Sequence, residues 1–336
     1  MSSAFICGCA ATMLTPDERA FFTDVRPWGL ILFQRNIASA QQVQELVGSF
    51  RDAVGDDDAP VLIDQEGGRV QRLGPPSWPS YPPARSFGAL YQSDKVAALK
   101  ALRQTARLIA DDLHGLGITV DCLPVLDVPQ PGSHPVIGDR AYDDSPESVA
   151  ILGQAAIAGL MDGGVLPVIK HIPGHGRATS DSHDELPVVE ASLPELRASD
   201  FVPFAAHASA TMAMTAHIVY PSMDAKNPAT LSRRVLEMVR NDLGFDGLLM
   251  TDDLSMRALS GSLGDRARRS LEAGCDMLLH CNGKFPEMVA VAQASGELAG
   301  QALQRADRVR RSRRPPLPFD RAEALARLNQ LMSEPA

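Results

Sequence analysis

Charged and polar side chains in this chain gather at the ends of short apolar runs, where they are placed to do chemistry. Val61-Leu62-Ile63 leads into Asp64-Gln65-Glu66-Gly67-Gly68-Arg69-Val70-Gln71-Arg72, and Val168-Ile169 leads into Lys170-His171-Ile172-Pro173-Gly174-His175-Gly176. Leu248-Leu249-Met250 leads into Thr251-Asp252-Asp253-Leu254-Ser255-Met256, and Met214-Thr215-Ala216 leads to His217. Carboxylates accept from adjacent hydroxyls, Arg and Lys donate to oxygen, and His transfers protons near neutral pH. One charge at a strand end could cap a helix or form a structural ion pair. Four such ends converging on one face point to an active site. A metal site is the competing chemistry, because His171, His175, Asp181 and His183 are plausible ligands. Pro173 and Gly174 spoil a helical His-x₃-His spacing, and no HExxH or three-histidine cluster accompanies them. No metal or cofactor is therefore expected, and a metal-dependent hydrolase stays as the alternative.

The elements that must position these groups are legible as alternation. Eight short apolar runs recur: Ala4–Gly8, Gly29–Phe33, Pro60–Ile63, Ile118–Leu123, Leu166–Ile169, Thr211–Thr215, Gly247–Met250 and Cys275–Leu279. Most are apolar on successive residues, as parallel strands covered on both faces require. Helix starts lie between them. Thr15-Pro16-Asp17-Glu18, Ser145-Pro146-Glu147 and Ser192-Leu193-Pro194-Glu195 pair a capping hydroxyl with early proline and acid, and Thr230-Leu231-Ser232 opens a helix over 233–243. The Ser192 signature precedes a helix over 201–206, and Gly244 and Gly274 read as helix ends. Strand and helix in strict alternation predict an α/β fold, a single-domain (β/α)₈ TIM-type barrel over residues 1–314. A doubly wound open sheet is the alternative, but no GxGxxG follows the first strand. The segments after strands three and five are long, as loops that collect binding groups often are. Residues 315–336 form a Pro-rich segment and a short helix over 321–331, packed on the barrel or trailing from it.

Composition narrows the partners. The chain has 336 residues, 45% hydrophobic and 22% charged, with a net charge of −9. That acidity argues against nucleic acid. The basic cluster Arg305, Arg308, Arg310, Arg311, Arg313 and Arg314 reads as the solvated face of a final helix. Five cysteines without a CxxC pair suit small buried thiols in a reducing compartment. The first basic residue, Arg19, lies beyond the apolar N-terminal run, unlike a signal peptide, and no stretch reaches the roughly 18 apolar residues of a membrane span. The expectation is a cytoplasmic protein with a small-molecule substrate, no membrane association and no obligate protein partner.

Four stretches together resemble a known family. They are Asp64 to Arg72, Gly138-Asp139-Arg140-Ala141-Tyr142, Lys170 to Gly176 followed by Asp181-Ser182-His183, and Thr251 to Met256. In this order they are similar to glycoside hydrolase family 3, in its single-domain β-N-acetylglucosaminidase branch. The likeness runs over roughly residues 4–300. It implies retaining hydrolysis of terminal β-linked N-acetylglucosamine through a covalent glycosyl-aspartate. The substrates implied are peptidoglycan-derived fragments ending in anhydro-muramic acid, with chitooligosaccharides as the alternative. The residue roles follow from the resemblance. Asp252 is the nucleophile, His183 the general acid/base and Asp181 its orienting partner. Asp64, Arg72, Arg140, Lys170 and His171 hold the sugar and its acetamido group. Spacing alone leaves Asp252 and Asp253 nearly equal, with Asp253 capping the next helix or supporting the site. Glu66 could be a brace, His175 stays outside the catalytic set, and His217 and Asp121 are supporting groups near the barrel mouth. The Gly174–Asp184 segment, rich in glycine and small polar residues, is expected to be a mobile loop that brings His183 in on closing. A β-glucosidase-like relative would take its acid/base from a further domain, so the proton donor is expected from the barrel itself.

Overall fold

The structure, a computed structural model, describes residues 2–333. Its strands are β1 (Ser3–Cys7), β2 (Pro27–Leu32), β3 (Val61–Ile63), a small hairpin of β4 (Gln65–Gly67) and β5 (Val70–Gln71), β6 (Val120–Asp121), β7 (Leu166–Pro167), β8 (Ile169–Ile172), β9 (Met212–Thr215), β10 (Leu248–Asp253) and β11 (Met277–His280). The main sheet runs β7-β6-β3-β2-β1-β11-β10-β9-β8, and its printed pairs are parallel. β7 and β8 are successive halves of one strand, joined at Val168, whose N–H reaches the carbonyls of Asp121 at 2.9 Å and Leu123 at 3.1 Å. This strand pairs with β6 on one side and β9 on the other, so the nine segments are eight staves of a closed barrel. The barrel expected from alternation is the one observed.

Strand alternation divides the apolar residues into two cores. Ala4, Ile6, Leu62, Val168, Leu248 and Met250 belong to a cluster filling the barrel, while Phe5, Cys7, Ile63, Ile169 and Leu249 belong to the layer beneath the helices. Continuing that parity past Met250 turns Thr251 outward and Asp252 inward at the barrel mouth, which separates the two adjacent aspartates. All five cysteines are buried free thiols and all five belong to these two cores, as small buried thiols should.

The caps read from sequence are present: Thr15 with Glu18 forms a reciprocal capping box, and Ser145, Ser192 and Ser232 accept backbone N–H groups at their helix starts. Ser192, however, caps Leu193–Ala198, and a separate short helix occupies Val202–Ala206. The arginine-rich helix Gly300–Ser312 corrects a larger expectation. Its Ala306 and Val309 plug the N-terminal end of the barrel, and its Arg305, Arg308 and Arg310 are paired rather than merely solvated. Arg305 reaches Asp246 at 2.8 Å and Asp276 at 2.9 Å, Arg308 reaches Asp246 at 2.9 Å, and Arg310 reaches Asp56 at 2.6 Å. The acids come from loops at that end, so the cluster ties the plug in place. Beyond it Leu317 and Phe319 pack at Arg107, and the helix Arg321–Ser333 binds Asp111 and Asp112 through Arg321. The last three residues of the 315–336 segment lie outside the described residues. Among the described residues, no helix is long and apolar enough to cross a membrane.

One glycine contact sets the rim that carries Arg140. A Cβ at Gly88, in the helix Ala84–Ser93, would lie 1.7 Å from the Tyr142 carbonyl oxygen. Backbone cannot yield as a side-chain tip does, so Gly88→Ala must displace the 138–142 segment. The expected cost is about 3 kcal/mol by urea unfolding, and an unchanged unfolding midpoint would show that the two segments part freely.

Candidate active site

A cleft of about 300 Å³ opens at the C-terminal ends of the strands, within the size range of small-ligand sites. All eight residues singled out from the sequence line it: Asp64, Arg72, Arg140, Lys170, His171, Asp181, His183 and Asp252. Phe33, Met256, Leu279 and Cys281 supply apolar wall.

The floor on one side is a chain of charges. Lys170, 2% exposed, meets Asp64 at 2.9 Å and Glu66 at 2.6 Å. Arg72 takes the other oxygen of Asp64 at 3.1 Å, and Arg140 grips both oxygens of Glu66 at 2.8 Å each. The order is therefore Arg72–Asp64–Lys170–Glu66–Arg140, with opposite charges alternating. Burial alone would neutralise these groups, but the pairing outweighs it. Burial opposes the ionised form of Asp64, yet Lys170 and Arg72 hold its carboxyl well below the usual range. Glu66 is likewise held down, to about 2, by Arg140 and Lys170 against burial. Burial works to discharge Lys170, and Asp64 and Glu66 hold it charged. Glu66, considered from the sequence as a brace, is the carboxylate shared by two cations.

His171 is oriented by a residue the sequence reading missed. Asp127 is fully buried; its Oδ2 faces His171 Nδ1 at 2.7 Å, and its Oδ1 accepts the backbone N–H groups of His171 at 3.2 Å and His175 at 2.7 Å. Burial pushes the Asp127 carboxyl up, but His171 and these donors hold it below its usual value. An ionised Asp127 accepts from Nδ1–H and leaves Nε2 of His171 for a ligand. The signal was present in the sequence: a carboxylate inside the apolar run Leu123–Val128 must have partners to be tolerated.

Asp252 closes the opposite side at the end of β10. Its Oδ1 accepts the N–H of Asp253 at 2.8 Å, and although burial raises its pKa, His217, His171 and that N–H bring it below the usual carboxylate value. His217 donates from Nε2 to the Asp253 carbonyl at 3.0 Å, with Nδ1 2.7 Å from the Thr230 hydroxyl, and burial keeps its pKa low. Asp253 does not cap a helix; Ser262 does that for Leu263–Ala273. Its carboxylate instead takes the Ser255 hydroxyl at 2.6 Å and the Cys281 N–H at 3.1 Å, tying the turn after β10 to the end of β11. Asp121 supports the floor by accepting the Gln65 N–H at 2.9 Å.

The Gly174–Asp184 loop already lies against the cleft. His183 Nδ1 sits 2.7 Å from Asp181 Oδ1, which also accepts the His183 N–H at 2.9 Å, and the imidazole is 67% exposed at the rim. The Asp181 carboxyl is slightly buried, but its bonds to His183 hold its pKa below the usual value. Together the cleft offers an ionised carboxylate at its base, an Asp–His pair at its mouth and a charged cradle between. Such a set can hold a polyhydroxylated ring while one side attacks carbon and the other moves a proton. Among the described residues, no group of three or more His, Cys, Asp or Glu is arranged to hold a metal ion.

Comparison with known proteins gives a consistent picture. The family description "Glycosyl hydrolase family 3 N terminal domain" matches residues 14–312. A β-hexosaminidase from Thiobacillus denitrificans is 40% identical over 286 residues, 83% of this chain and 77% of that protein. One from Xanthomonas axonopodis pv. citri is 39% identical over 292 residues, 85% of this chain and 84% of its own. Among solved structures, NagZ from Neisseria gonorrhoeae in complex with N-trifluoroacetyl-D-glucosamine superposes with a TM-score of 0.82 at 32% identity, over 99% of this chain and 98% of that one. A family 3 β-N-acetylglucosaminidase from Paenibacillus sp. gives a TM-score of 0.85 at 30% identity, over 98% of this chain and 67% of that one.

The charged floor makes a pH-dependent contribution to stability. Glu66 titrates near 4.5 when unperturbed and about 2 in this site. Its ionic contribution is complete above the unperturbed value and is lost as pH falls from about 4.5 toward 2. Glu66→Gln should lower unfolding stability by about 3 kcal/mol at neutral pH, because Arg140 and Lys170 stay buried with less countercharge. Urea titrations should show that deficit shrinking below about pH 4.5; a deficit independent of pH would mean the loss is one of packing.

Proposed function

The chain belongs to glycosyl hydrolase family 3 and is a β-N-acetylhexosaminidase, and from that premise we propose a retaining cleavage of terminal β-linked N-acetylglucosamine with Asp252 as nucleophile. The observation that carries the reading is the convergence of all eight residues on one cleft, with ionised Asp252 at its base and the Asp181–His183 pair at its mouth. Asp64, Arg72, Arg140, Lys170 and His171 hold the ring and its acetamido group by accepting from hydroxyls and donating to oxygens.

In the first half-reaction a carboxylate oxygen of Asp252 bonds to the anomeric carbon as the glycosidic C–O bond breaks. The His183 imidazolium gives its Nε2 proton to the leaving oxygen, while Nδ1–H stays on Asp181. In the second, neutral His183 takes a proton from water as that water attacks the anomeric carbon and releases Asp252. Two inversions give net retention. The leaving group we propose is an anhydro-muramic acid fragment of peptidoglycan, which would place the enzyme in cell-wall recycling in the cytoplasm. The sugar-binding cradle serves a chitin fragment equally well, so comparing both as substrates decides between them.

The mechanism is tested by leaving-group dependence. His183→Ala should lose about 10²–10⁴-fold in kcat/KM on sugar leaving groups, and far less on activated nitrophenyl glycosides. Asp252→Ala should be damaging with every leaving group. A 5-fluoroglycosyl fluoride of the 2-acetamido sugar should label one peptide, containing Asp252. Inverted product by NMR, labelling elsewhere, or a His183→Ala slope no steeper than that of the parent enzyme would sink the assignment.

A further inference from the structure

The loop carrying Asp181 and His183 is firmly rooted and then sparsely tied. At its root the Gly174 carbonyl accepts the Tyr220 hydroxyl, and Gly176 packs so closely that a Cβ would lie 2.1 Å from the Val128 carbonyl oxygen. Arg177 meets Asp200 at 2.7 Å, and the His134 N–H reaches the Ala178 carbonyl at 2.7 Å. Nearer the tip, the Ala258 and Arg257 N–H groups reach the carbonyls of Ser182 at 3.2 Å and His183 at 3.4 Å, and Arg257 faces Asp184 across an exposed 3.8 Å. One contact differs in kind. Ser182 is only 3% exposed, and its hydroxyl lies 3.1 Å from Nε2 of His175, itself 3% exposed.

His175 has no part in the proposed chemistry, yet the fold invests in placing it. Its N–H is held by Asp127, the carboxylate that orients His171, and its ring meets the His171 ring edge-on at 5.5 Å. Its Nδ1 is buried without a hydrogen-bond partner among the described residues. Burial, then neighbouring His171, pushes its pKa down to about 4, so it is neutral at working pH and adds no charge beside Asp252. Ser182 stands between Asp181 and His183 in sequence, so turning it to the floor leaves its two neighbours at the rim.

Resting on the assignment of His183 as acid/base, we infer that His175 and Ser182 form a latch that seats the loop. His175 is a positioning residue that sets His183 through Ser182 and does not act on the reacting atoms. The shared Asp127 anchors both the sugar-facing imidazole and the latch imidazole to one buried point.

The test uses hydrogen–deuterium exchange and leaving-group kinetics on the full chain. A neutral hydrogen bond biases a two-state equilibrium by roughly 2- to 10-fold, so Ser182→Ala should raise amide exchange across 181–184 by about that factor. The same variant should steepen the dependence of kcat/KM on leaving-group pKa while leaving KM for an activated aryl glycoside nearly unchanged. His175→Ala should match Ser182→Ala, and His175→Gln, whose amide nitrogen can stand near Nε2, should restore parent behaviour. Unchanged exchange in Ser182→Ala overturns the latch, as does a His175→Gln variant no better than His175→Ala. Raised exchange with an unchanged slope overturns the route through His183, provided His183→Ala itself steepens the slope. If His183→Ala does not, the functional assignment has failed, and exchange, which needs no substrate, still decides the latch. If His175→Ala does not fold, Ser182→Ala carries the test alone.

Discussion

A buried ammonium with two carboxylates on it is the constraint around which this site is arranged. Lys170 is almost fully enclosed and touches both Asp64 and Glu66. An isolated charge at that depth would be prohibitive, so β8 and the β3 end with its hairpin must meet in one register. The excess negative charge on the two acids then fixes Arg72 and Arg140 in turn. Three segments distant in sequence are thereby drawn to one face by charge balance. The same arrangement prepares a cradle for hydroxyl groups, since its donors and acceptors are held in place before any ligand arrives.

Electrostatic roles are separated across the cleft. The cradle side is fully ionised, whereas burial pushes the pKa values of the imidazoles His175 and His217 down. Against burial, His217, His171 and the Asp253 N–H hold Asp252 ionised, and among the described residues no Lys or Arg is paired directly to it. As the proposed nucleophile it is spared a tight ion pair, and among the described residues the donor to its oxygen is the Asp253 backbone N–H. Asp253, its neighbour in sequence, spends its carboxylate on Ser255 and Cys281 and so braces the strand end. Two adjacent residues of one type thus have different work because a strand turns successive side chains to opposite faces.

The loop with the proposed acid/base obeys a different economy. Its root is locked by close backbone packing at Gly176, while its tip keeps His183 open to solvent at the rim. A group that must meet varied leaving groups and then water cannot be buried as Lys170 is. Its orientation comes from Asp181 two residues earlier, a local contact the sequence carries within itself.

Much of this was legible in the residues. Eight apolar runs alternating with capped helices specify a barrel, because parallel strands covered on both faces cannot hide their hydrophobicity pattern. The motifs read from the sequence named eight residues that line the cleft. What the sequence by itself did not determine was contact across distance. It could not show that Glu66 is shared by Arg140 and Lys170, that Asp127 orients His171, or that Arg305, Arg308, Arg310 and Arg313 are bound to loop acids at the barrel base. Nor could spacing choose Asp252 over Asp253. Periodicity and caps depend on neighbours within a few residues, so the chain carries them openly. Ion-pair partners and the inward face of a strand are set by barrel closure, and only the closed barrel decides them.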